Sequence, residues 1–178
     1  DVIVKTRVTG LEPGTKYLYR MHFGSDDTDI QTGPARSFKT LPAPDDPRAV
    51  SFVVVTGMHL IERYGATVLE VLEEGFSEIH QLPNQIPGEP MDLVLANTVS
   101  GFGRLVHDRP PDAIVIHGDR LEALAGAIVG AMRNIRVVHL EVGELSGTID
   151  GSLRHAITKL AHVHLVANQA AAERIIAM

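Results

Sequence analysis

The sequence contains no cysteine. That absence excludes disulfides, thiolate nucleophiles and cysteine-ligated zinc, and it fits a cytoplasmic protein. No apolar stretch approaches the roughly 20 residues that cross a bilayer, so no membrane span is expected. Basic runs are missing too. Lys plus Arg total 16 against 22 Asp plus Glu, a net charge of −6, so no electrostatic footprint for nucleic acid is present. There is no signal peptide, although a chain that starts at Asp1 is compatible with removal of an upstream targeting segment. What remains is a chain of 178 residues, 44% hydrophobic, enough for one ordinary domain or one domain with an appendage.

The chain falls into two unlike parts, 1–45 and 46–178, joined at the Pro-rich, acidic stretch "LPAPDDPRAV". Before it, "DVIVKTRVTG" alternates as a strand does. "LEPGTKYLYRMHF" adds a Pro-Gly turn and then Tyr17, Tyr19 and Met21 at period two, and "ARSFKTLP" reads as a third strand. After it, "AVSFVVVTG" is a continuous apolar run, the pattern of a strand covered on both faces. "TVLEVLEEG" is a short helix stopped at Gly75, and "FSEIHQL" reads as a strand. "EPMDLVLANTVSGFGRLVHD" has helical spacing through Leu93, Phe102 and Val106. Strand, helix, strand, helix, strand and helix then follow in "DAIVIHG", "RLEALAGAIVGAMRN", "RVVHLE", "GSLRHAITKLA", "HVHLVAN" and "QAAAERIIAM". Strands recurring roughly every 25 residues with helices between them predict an α/β fold with a parallel sheet.

Ligands in such sheets gather at the carboxyl ends of the strands. Three clusters fall there: "HGDR" with Asp119 and Arg120, "HLEVGE" with His139, Glu141 and Glu144, and "GTIDGSLRH" with Asp150, Ser152, Arg154 and His155. Singly, each has an ordinary explanation, since Asp119 and Asp150 are natural helix caps and Glu144 a loop acid. Together they set carboxylates beside two arginines at successive strand ends, a combination suited to a phosphorylated ligand and to proton transfer next to it. In the third cluster Leu153, Ile157 and Leu160 face the sheet at i, i+4 and i+7, leaving Ser152, Arg154 and His155 near the cleft and Lys159 and His162 in solvent. No cofactor or metal is expected. There is no Walker loop, "GFGRL" sits inside a helix, and the His162/His164 pair has no third ligand.

At these motifs the chain resembles the hydrolysing UDP-N-acetylglucosamine 2-epimerases, over about residues 51–178. The stretches are "VTGMHLIERYGATVLEVLEEGF", "PDAIVIHGDRLEALAGAIVGAMRNIRVVHLEVGE" and "SGTIDGSLRHAITKLAHVHLV". The resemblance implies a Rossmann-like sheet with flanking helices, one half of a GT-B-type pair, with UDP-N-acetylglucosamine bound between the halves. It also implies loss of the C2 proton, departure of UDP and hydration of the resulting glycal to N-acetylmannosamine. It places Asp119, Glu141 and Asp150 on the acidic catalytic positions. Arg120 and Arg154 fall at the nucleotide sugar, with His155, Ser152, Glu144 and His59 as further substrate contacts. Self-association is implied as well.

The chain departs from the family at Gly151, where a second acid is usual, and at Val142, where glycine is usual. A β-branched residue resists positive φ, so altered loop geometry is expected after Glu141. The family's first strand and second nucleotide-binding domain have no counterpart in this sequence, so these 178 residues alone are expected to turn over little substrate. Residues 1 to about 55 resemble the end of a fibronectin-like domain leading into a PhoD-type alkaline phosphatase, without that family's metal ligands. Two other functions follow from these features: a non-catalytic α/β interaction module, and a phosphatase fragment.

Overall fold

A computed structural model of the chain describes residues 8–24, 28–55, 68–76, 78–145 and 147–178. The first predicted strand, in residues 1–7, and His59 lie outside them. The chain forms two compact units, residues 1–50 and 51–178.

The N-terminal unit is an interrupted antiparallel hairpin. Strand β1 (Lys16–Tyr19) pairs with β4 (Arg36–Lys39), and β2 (His22–Phe23) pairs with β3 (Gln31–Thr32). Between the two ladders Gly33 N–H donates to Met21 O at 2.8 Å. The Pro13-Gly14 turn delivers the chain into β1 with Gly14 at φ 61°, a conformation open to glycine. Tyr17 lies opposite Phe38 and stacks on it, with ring centroids 5.7 Å apart. Such cross-strand aromatic pairs are the main stabilising contact available to a two-stranded ribbon.

The second unit carries a four-stranded parallel sheet in the order β5 (Phe52–Val55), β6 (Ala113–His117), β7 (Arg136–Leu140), β8 (Val163–Leu165). Its helices are α1 (Val68–Glu73), α2 (Met91–Asp108), α3 (Leu121–Arg133), α4 (Ile149–Leu160) and α5 (Gln169–Ile176). Strand order follows chain order, so right-handed crossovers put the connecting helices on one side. That side holds the core: Ile114, Ile116 and Val137 are fully buried with Ile157, Phe102 and Val106, and Val53 and Val55 pack against them. Helix α3 presents Ala123, Gly126, Ala127 and Gly130 to the strands. A Cβ on Gly130 would lie 2.4 Å from Val137 Cγ2, and one on Gly126 would lie 3.3 Å from Val55 Cγ2. Small residues at i and i+4 therefore set how closely this helix approaches the sheet.

Three expectations need correction. The run "SFVVV" is not covered on both faces: β5 is an edge strand, and Phe52 and Val54 are 63% and 54% exposed. The stretch Glu78–Leu82 is not a strand. Leu82 packs against the helix-side core, and Asn84 Nδ2 donates to Thr98 Oγ1 of α2 at 2.8 Å, so the segment is used in the helix layer. The buried stripe of α2 runs through Val94, Thr98, Phe102 and Val106, while Leu93 is 49% exposed. The stripe follows a strict i+4 step, and Thr98 is accommodated because its hydroxyl donates to Val94 O at 2.7 Å. Helix α4 buries Ile157 and packs Leu153 and Leu160 on the core, as the spacing requires.

Candidate active site

Strands β6, β7 and β8 are parallel and in register, with His117 beside Leu140 and Leu140 beside Leu165. Their carboxyl ends therefore open at one level. The loop after β6 turns through Gly118 at φ 82° and presents Asp119. Asp119 does not cap α3; the cap position is Arg120, which makes no side-chain cap bond. Instead Asp119 Oδ2 pairs with Arg154 Nη2 of α4, with only 21% and 11% of the two side chains exposed. Arg154 Nη1 also donates to Glu144 O at 2.6 Å. One guanidinium thus ties together all three motif clusters, and its fork geometry explains why an arginine does so.

The loop after β7 departs from expectation. Val142 is fully buried, and the positive φ values fall on its neighbours, Glu141 at 56° and Gly143 at 89°. A glutamate in the left-handed region is uncommon and marks local strain. Its N–H is held by Leu165 O at 2.9 Å, and its carboxylate meets His117 Nε2 at 2.9 Å. Glu144 turns toward α5: Asn168 Nδ2 donates to its Oε1 at 2.8 Å, and Arg174 lies 4.0 Å from its Oε2.

Asp150 sits in the first turn of α4, where Thr148 is the cap. Thr148 Oγ1 donates to Asp150 Oδ2 at 2.9 Å and accepts from Asp150 N at 3.3 Å. Asp119 and Glu141, just past the ends of β6 and β7, are engaged with Arg154 and His117, so each of the three predicted acids has its own partner. Arg120 is exposed and lies 3.7 Å from Glu122. Ser152 and His155 are exposed on α4.

Two histidines of the motifs that were given no catalytic or binding role also belong to this region. His117 ends β6 against Glu141. His139 is fully buried on β7, and its Nε2 donates to Gly118 O at 2.9 Å. Burial is the main cause lowering its pKa from 6.5. The signal for both was their place in the motifs, one residue before Gly118 and two before Glu141. The expectation for His162 also needs refinement. The residue is exposed, but its Nδ1 accepts from Val137 N–H at 3.1 Å while its own N–H donates to Val137 O at 2.9 Å. Desolvation there, followed by the charge of Arg136, lowers its pKa. His164 Nε2 instead donates to Thr158 O at 3.0 Å. Among the described residues no group of three His, Cys, Asp or Glu is placed to hold a metal ion, and no helix is long and apolar enough to cross a membrane.

A family model described as UDP-N-acetylglucosamine 2-epimerase matches residues 44–178. A UDP-N-acetylglucosamine 2-epimerase of Neisseria meningitidis serogroup B is 52% identical over 126 residues, covering 71% of this chain and 33% of that protein. A hydrolysing UDP-N,N'-diacetylbacillosamine 2-epimerase of Legionella pneumophila subsp. pneumophila is 41% identical over 129 residues, covering 71% and 34%. The chain spans about a third of the length of these curated relatives. A crystal structure of a UDP-N-acetylglucosamine 2-epimerase superposes with a TM-score of 0.62 at 20% identity, covering 74% of this chain and 37% of the other, a likeness of fold.

Proposed function

The chain belongs to the UDP-N-acetylglucosamine 2-epimerase family, and from that premise we propose that residues 51–178 carry the acid–base side of a hydrolysing 2-epimerase site for UDP-N-acetylglucosamine. The observation that carries the reading is the junction at Arg154, where Asp119 and the Glu144 carbonyl from two different strand-end loops meet one guanidinium.

In this reaction a carboxylate removes the C2 proton, the C1–O bond to UDP breaks and a glycal forms. Water then adds across C1 and C2, with the proton returning to the opposite face of C2. Asp119 is committed to Arg154, so its part is to hold that cation in place for the ligand. Glu141 stands against an imidazole, a group that can both give and take a proton. It is the better placed of the two to move protons, with His117 as its exchange partner. Arg120, at the N-terminus of α3, meets the diphosphate, where the helix dipole adds to its charge. Asp150, Ser152, His155 and Glu144 complete the site, and His59 is assigned to it by motif. Self-association is part of the reading.

The test is titration of the chain with UDP-N-acetylglucosamine, UDP and UDP-N,N'-diacetylbacillosamine. Binding that weakens at least about tenfold in Arg120→Ala, the loss of one charge-assisted contact, supports the proposal. No binding at millimolar ligand favours a non-catalytic module. For the N-terminal unit, the "GLEPGTKYLYR" turn and strand support a fibronectin-like fragment. The family match starts at residue 44 and lends no support to a PhoD-type assignment.

A further inference from the structure

His139 is the largest polar side chain in the core that the proposed chemistry leaves unused. It is fully buried, and its Nδ1 has no hydrogen-bond partner among the described residues. A carbonyl accepts only, so the proton must sit on Nε2, where Gly118 O lies 2.9 Å away. An imidazole kept in the interior with one nitrogen unused is costly. A hydrophobic residue of similar size would fill this place on β7 without that cost, so the one bond it makes calls for an explanation.

We infer that His139 is a positioning residue: its Nε2–H holds the Gly118 carbonyl and so fixes Asp119 where it meets Arg154. Gly118 is the residue at φ 82° on which the loop turns. Rotation of its peptide swings Asp119, the next residue, away from α4. The clamp has a second side. His164 lies directly beside His139 in the sheet register. Its Nε2 donates to Thr158 O, and Thr158 Oγ1 donates to Arg154 O at 2.9 Å. Adjacent histidines on β7 and β8 therefore secure the two halves of one ion pair, His139 through the loop carrying Asp119 and His164 through the helix carrying Arg154. The inference concerns the ion pair itself; only its consequence for ligand binding rests on the function proposed above.

The test uses nitrogen-15 NMR on the ligand-free chain with His139→Phe, which keeps a ring and removes the donor, and His139→Gln, whose amide N–H replaces Nε2–H. The wild-type imidazole is expected in the Nε2–H form, with the Arg154 guanidinium signals resolved and slowly rotating. His139→Phe is expected to release them while the β6–β7 amides stay protected, and His139→Gln to retain them. An Nδ1–H form in the wild type, or unchanged Arg154 signals in His139→Phe, overturns the inference. If His139→Phe does not fold, the wild-type tautomer and the His139→Gln spectrum decide it, because disordered Arg154 signals in His139→Gln also overturn it. In the ligand arm, UDP-N-acetylglucosamine binding is expected to weaken about tenfold or more in His139→Phe and to recover in His139→Gln, as for a misplaced binding group. A wild type that binds nothing defeats the functional reading and leaves the NMR result standing.

Discussion

The two faces of the parallel sheet are both largely apolar in sequence and unequally used. On the helix side Ile114, Ile116 and Val137 have no exposed surface, and α3 comes close enough that a Cβ at 130 would clash and one at 126 would be tight. On the other side Val54, Val115, Val138 and Val163 form one row across all four strands. Val54 there is 54% exposed, and Phe52 and Leu165 are 63% and 50% exposed. The physical cause is topology. A sheet whose order follows the chain receives its crossover helices on a single side, whatever the hydrophobicity of the other. Among the described residues the fully buried core side chains and the loops that carry the site therefore rest on the helix side.

The sharpest way to break this contrast is to hollow the covered face. Ile116→Ala is expected to lower unfolding free energy by about 2–5 kcal/mol, whereas Val115→Ala, one residue along, is expected to cost under about 1 kcal/mol because its site is already partly solvated. Denaturant titration of both checks this, and equal losses would refute the one-sided core. Next in size is Gly130→Ala, expected to destabilise by about 1–3 kcal/mol, since the new methyl meets Val137 Cγ2. Gly103→Ala on α2, where the nearest atom is 3.9 Å from the added Cβ, serves as the control with a helical glycine and is expected to be neutral or stabilising.

A smaller effect is expected from pH. His139 and His162 both have pKa values lowered from 6.5, chiefly by burial. The unfolded chain therefore takes up protons at higher pH than the folded one. Stability is fully present above about 6.5, the unfolded value, and falls as pH drops below it toward the lowered folded values. Thermal unfolding followed between pH 7.5 and 5 checks the direction. His162→Gln is expected to flatten part of the slope, and a slope of opposite sign would contradict the lowered pKa values of the two imidazoles. The smallest effect belongs to the open face. Val54→Thr is expected to change stability by no more than about 0.5 kcal/mol while reducing binding of a hydrophobic dye, since it interrupts the exposed apolar row.

Much of the second unit was legible because its elements carry strong local patterns. "AIVIH", "LEALAGAIVGAMR" and "RVVHL" form β6, α3 and β7 over those residues. The ordering of motifs at strand ends followed from βαβ alternation. Less was legible where a residue's fate depends on what lies opposite. Leu82 ends a short stretch that reads as a strand, yet its side chain is used against α2. Leu93 and Val94 are adjacent and both apolar, and only what packs on α2 decides that Val94 is buried and Leu93 is not. The site shows the same division. Asp119, Glu141 and Arg154 stood out as charged residues of three adjacent motifs, but their pairings did not, because a side chain's partner is set across 35 residues in Asp119–Arg154 and 24 in His117–Glu141.

Composition and periodicity by themselves determined the α/β class, the alternation of strands and helices, and the placing of three charged motifs at one end of a sheet. These follow from local backbone preference and from the spacing of apolar side chains. The tertiary structure alone decided which sheet face is covered, that both neighbours of Val142 bear positive φ, and that a buried imidazole grips the Asp119 loop. Each of those outcomes is fixed by groups distant in the chain competing for the same space and the same hydrogen bonds, and no local pattern records that competition.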